Sequence, residues 1–126
     1  MRLRSDLSRV LGLGTARGGV HHWWHQRLSA VALIPLALWF MTALLGHLHD
    51  DYVAFKAWVG SPFVTVLLVS LIAAVFYHAK LGLQVVIEDY VHTDLTKVAL
   101  LATMKLGCAF GAVLGIVAVL KLAFGM

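Results

Sequence analysis

Three long apolar runs, separated by short joints that hold most of the polar residues, organise this chain. They cover about Leu28 to Leu48, Phe63 to Ile87 and Val98 to Phe124. The hydrocarbon core of a bilayer, about 30 Å thick, takes about 20 mostly apolar residues of α-helix, so each run predicts a membrane-spanning helix. The local signals agree with these bounds. Ser61 is a good N-cap, and Pro62 follows at the first helical position, where a missing N–H costs little. Pro35 falls inside the first span, where it removes a backbone hydrogen bond and predicts a kink. Gly18 and Gly19 are expected to interrupt any long helix ahead of the first span. Gly107, Gly111 and Gly115 recur every four residues in the third span, a face without side chains that admits a close neighbour. Three short spans offer few internal neighbours, so this face points to a multisubunit assembly. The pattern as a whole predicts an all-α fold, one transmembrane domain over residues 1–126 with an N-terminal tail at 1–27.

Composition supports that picture: 61% of the 126 residues are hydrophobic and only 13% are charged. That is too apolar for a soluble domain of this size. The formal charge of +4 raises nucleic-acid binding, but the arginines crowd the N-terminal tail and form no folded basic face, which excludes that class. Arg2, Arg4, Arg9, Arg17 and Arg27 precede the first span, whereas only Lys56 lies in the loop after it. The positive-inside rule therefore puts the N-terminus in the cytoplasm. The joint around residues 88–97 then returns to the same side, with Trp23, Trp24 and Tyr90 forming an interfacial aromatic belt. The Arg-rich start lacks the apolar core and cleavage site of a secretory signal. Cys108, the one cysteine, can make neither an intrachain disulfide nor a cysteine-based cluster.

The candidate chemistry lies in the second run. His78 and Asp89 are eleven residues apart, which is three helical turns plus about 20°, so they share one stripe about 16 Å long. His78 sits close to mid-bilayer, roughly 15 Å below the cytoplasmic end, where an ionisable group is costly without a partner. Its imidazole can hydrogen-bond a polar group on another helix or bind a metal. If it binds haem, the second ligand must come from another chain, because His47 lies at the opposite end of the first span. Gly82, one turn on, clears space beside it. Asp89 and Tyr90 either simply end the helix or, at the water interface, form a site where a phenol donates to a quinone carbonyl and a carboxylate supports it. The histidines at 21, 22 and 25 leave a metal site open. Lys80, turned about 200° from His78, is expected to reach a neighbouring subunit or Gln84.

Two segments, "HAKLGLQVVIEDYV" at 78–91 and "GGVHHWWHQRLSAVAL" at 18–33, resemble the hydrophobic membrane-anchor D subunit family of succinate dehydrogenase, respiratory complex II. The resemblance implies a three-helix anchor that packs with a cytochrome b subunit and docks an iron-sulfur subunit and a flavoprotein subunit to the bilayer. It implies that His78 is one axial ligand of a shared haem b, and that Tyr90 and Asp89 bind ubiquinone. It places His21 and Arg27 near the haem propionates and the quinone pocket. Succinate oxidation itself would belong to the partners, since the chain has no dinucleotide fingerprint and no cysteine set for iron-sulfur clusters. The location implied is a bacterial cytoplasmic membrane, with the mitochondrial inner membrane as alternative. Two other readings stand beside this one: the anchor of a fumarate reductase-like complex, and a small transporter or channel subunit in which His78, Lys80 and Gln84 line a polar path.

Overall fold

The computed structural model describes residues 15–125, with side chains from residue 19 onward. Among the described residues four helices follow one another: α1 (Thr15–Gly46), α2 (Tyr52–Val59), α3 (Pro62–Tyr90) and α4 (Asp94–Phe124). Among the described residues, α1 from Gly19, α3 and α4 are long and apolar enough to cross a membrane, which makes this an all-α, multi-pass architecture. Arg2, Arg4 and Arg9 of the tail lie outside the described residues.

The expected start of the first helix needs correction, because Gly18 and Gly19 lie inside α1 rather than breaking it. Each glycine costs about 1 kcal/mol in a helix interior. Extending an existing helix avoids the nucleation cost, so a long apolar stretch downstream can carry two weak positions. Arg27 therefore lies within a helix. The helix also continues through Pro35. The joint between the first two spans holds the short α2, which the apolar pattern did not reveal. Asp51 caps it, its carboxylate accepting from the Ala54 N–H at 2.8 Å. As expected, Ser61 caps α3 with Pro62 in its first turn. Its hydroxyl accepts from the Val64 N–H at 3.4 Å.

α3 lies in the middle, packed on α1 along one side and α4 along the other, while α1 and α4 do not pack on each other. The glycine stripe explains the α3–α4 contact. A Cβ on Gly111 would stand 2.6 Å from the Phe76 ring, and one on Gly115 would stand 3.1 Å from Ile72. Two of the three glycines thus admit another helix, as the spacing predicts, and that helix is α3 of the same chain; Gly107 faces open space. The small core lies at the α2 end, where Val59, Val64 and Leu68 are buried among Trp39, Phe40, Phe55 and Trp58. Elsewhere little is enclosed, and α4 has no buried residue at all.

Candidate functional site

The N-terminal half of α1 carries polar residues at His22, Gln26 and Ser29, spaced by four and three residues and so stacked on one face. α3 presents Tyr77, His78, Leu81 and Gln84 along its C-terminal half. Between these halves lies an open groove of about 1000 Å³, whose lining includes His21, His22, Gln26, Arg27, Tyr77 and Gln84.

His78 sits at the α1–α3 contact beside this groove. Its Nδ1 is 2.8 Å from Ser29 Oγ, and its Nε2 is 3.4 Å from the Gln26 side-chain amide nitrogen. Ser29 is buried at 7% exposure, and its hydroxyl donates to the Gln26 backbone carbonyl at 2.9 Å. The space beside Gly82 is filled by that same Gln26 amide, 3.5 Å from where a Cβ would stand. Of the two roles open to a mid-span imidazole, the interhelical hydrogen bond is therefore present through Nδ1. Nε2 keeps only a long contact at the outer limit of hydrogen bonding.

A second polar chain runs along the groove. The Tyr77 hydroxyl is 2.6 Å from His25 Nδ1, and His25 Nε2 is 2.9 Å from His21 Nε2. Arg27 lies over the Trp23 ring at 5.4 Å, a cation–π contact that holds the guanidinium at the groove edge. Two buried polar atoms here, His22 Nε2 and Gln26 Oε1, have no hydrogen-bond partner. Each such atom costs about 1–3 kcal/mol when left unpaired among the described residues, so the groove offers polar positions to a further group. Among the described residues no group of three or more His, Cys, Asp or Glu side chains is placed to hold a metal ion.

Asp89 and Tyr90 end α3 on exposed positions, with Tyr90 78% exposed. Neither lines the groove, whose outer wall is formed instead by Glu88. The sequence stripe from His78 to Asp89 is thus present, but its two ends are not brought into one cavity. Lys80 departs from expectation: its ammonium lies over the Tyr77 ring at 4.9 Å, while Gln84 donates to Glu88 at 2.9 Å. Lys80 lines a cleft between α3 and α4, Gln84 lines the α1–α3 groove, and His78 bonds Ser29, so the three line no common path. His47 stands in the turn after α1, bonded to Asp50 at 2.6 Å and stacked on Trp58 at 4.4 Å. It is far from His78, as its sequence position requires.

Sequence reasoning passed over Ser29, Gln26 and Tyr77 as members of the site. The i, i+4, i+7 spacing of His22, Gln26 and Ser29 was the available signal, a polar stripe entering an otherwise apolar helix.

The chain matches the model of the succinate dehydrogenase/fumarate reductase transmembrane subunit over residues 1–118. It is 32% identical to the succinate dehydrogenase hydrophobic membrane anchor subunit of Rickettsia bellii, over 92% of this chain and 93% of that protein. The subunit of the same name from Paracoccus denitrificans is 28% identical, covering 86% and 84% of the two chains. The succinate dehydrogenase membrane anchor subunit of Reclinomonas americana is 31% identical, covering 71% and 78%. A match of this extent establishes that the chain belongs to the family of succinate dehydrogenase/fumarate reductase transmembrane subunits.

Proposed function

We propose that this chain anchors a succinate:ubiquinone oxidoreductase in the membrane, supplying one haem b ligand and part of the ubiquinone site. The observation that carries the reading is the position of His78. It is a half-buried imidazole midway along the central helix, in a chain of this family, with Nε2 free of any acidic partner. The donor set suits the group once one side chain moves: a neutral imidazole nitrogen is a usual haem ligand, and the Gln26 amide, 3.4 Å from Nε2, would turn aside to admit it. Haem, when bound, supplies a one-electron carrier at this depth. His78 would hold it from this chain, and a cytochrome b subunit would supply the other ligand. His21 and Arg27, at the same end of α1, face its acidic periphery.

Tyr90 and Asp89 form the quinone end. The exposed phenol donates a hydrogen bond to a quinone carbonyl at the interface, and the adjacent carboxylate orients that phenol and takes part in the uptake of two protons from water. With the arginine-rich N-terminus cytoplasmic by the positive-inside rule, this end faces the cytoplasm, where the iron-sulfur and flavoprotein subunits dock. A bacterial cytoplasmic membrane fits the Rickettsia and Paracoccus relatives. The whole chain then acts as one transmembrane domain.

The family name itself covers fumarate reductases, so an anchor working with another quinone is the second reading. The test is affinity purification through this chain in a mild detergent. A flavoprotein and an iron-sulfur protein in the eluate, with ubiquinone extracted from it, is the expected result. Menaquinone in their company would favour the second reading, and an eluate with neither protein would overturn both.

A further inference from the structure

Ser29 carries a role that neither the family match nor the motif at 78–90 assigns. Its oxygen stands between two groups, the Gln26 backbone carbonyl at 2.9 Å and His78 Nδ1 at 2.8 Å. A serine hydroxyl has one proton to give, and a carbonyl oxygen can only accept. The proton of Ser29 therefore goes to the carbonyl, the usual back-bond of a serine within a helix. The remaining contact, short and buried, is satisfied only if His78 carries its proton on Nδ1 and donates it to Ser29 Oγ. The opposite tautomer would set two lone pairs against each other at one of the two contacts.

From this we infer that Ser29 is the positioning residue of His78: it fixes the tautomer whose unprotonated Nε2 can bind iron when the Gln26 amide turns aside, and it locks the ring plane against α1. The inference rests on the haem-ligand reading of His78. It predicts a specific electronic consequence, because a ligating imidazole that donates its other N–H is a stronger base toward the metal and favours the more highly charged state of iron. The hydroxyl also ties the proposed ligand on α3 to α1, so the first described helix takes part in setting the site.

The assembled complex carrying Ser29→Ala is compared with wild type, Ser29→Thr and His78→Ala, measuring haem b per flavin, release to an excess of a haem-scavenging protein, and midpoint potential by redox titration. Ser29→Ala is expected to bind haem about 10- to 100-fold more weakly, the usual cost of losing such an outer partner, and to raise the potential. Ser29→Thr keeps the hydroxyl and is expected to restore both. If Ser29→Ala lowers assembly itself, Ser29→Cys, of similar size but a weak acceptor, carries the same comparison. A Ser29→Ala complex with wild-type release and potential, alongside a His78→Ala complex empty of haem, would overturn the role of Ser29 and leave the His78 reading intact. A His78→Ala complex that keeps its haem would remove the reading and the inference together.

Discussion

A mid-span imidazole is expensive to leave bare, and His78 shows how a small anchor meets that cost with one buried hydroxyl and one amide. The position of His78 was legible from spacing alone, because eleven residues return a helix almost to the same azimuth. Its partners were not, because contacts between helices depend on how α1 is rotated, and a chain apolar on most faces gives that rotation little expression. Lys80 illustrates the same limit. Its long side chain was expected to run toward Gln84 or another subunit, and instead it folds back over the Tyr77 ring one turn away. At the other end of the stripe, Tyr90→Phe removes one hydroxyl from an exposed position that no intrachain bond uses. A lost hydrogen bond of about 0.5–1.5 kcal/mol predicts a fall of roughly 2- to 10-fold in quinone-reductase kcat/KM, with the b-type spectrum unchanged. A steady-state assay with a soluble quinone analogue checks it. Unaltered kinetics would remove Tyr90 from the quinone site.

At the scale of elements, the contact between α3 and α4 depends on two glycines and the side chains that occupy the room they leave. A Cβ at Gly111 meets the Phe76 ring at 2.6 Å, whereas one at Gly107 meets nothing within 4 Å. Gly111→Val is therefore expected to destabilise the bundle by about 1–3 kcal/mol, the range for an overpacked site, and Gly107→Val to be much milder. Thermal unfolding of the detergent-solubilised complex, followed by loss of haem absorbance or by scattering, compares the two. Equal melting temperatures would contradict the packing described. The helices themselves were largely readable from the length of their apolar runs, and the start of α3 from Ser61 and Pro62. What escaped was the beginning of α1, where two unfavourable glycines were outweighed by propagation of a long helix, and α2, whose eight residues are too few to show a periodicity.

Over the whole molecule, α3 bears the structural and the proposed chemical load, with α1 and α4 on its two sides and no direct packing between them. Such a layer buries little: Val59, Val64, Leu68 and Leu81 are its buried apolar residues among those described. The rest of its apolar surface suits lipid and partner helices, which agrees with an anchor that is complete only within an assembly. The number of spans was legible from composition, but their lateral order was not, since uniformly apolar helices carry no mark of which neighbour each will face. The glycine stripe also gave the right kind of contact, and α3 itself fills two of its three positions. This layer is proposed to hold haem iron at His78. That proposal is tested most directly by the dithionite-reduced minus oxidised spectrum of the affinity-purified complex, wild type against His78→Ala, at matched flavin content. Loss or a pronounced shift of the b-type α-band in the variant is the predicted result, and an identical spectrum in the two would contradict it.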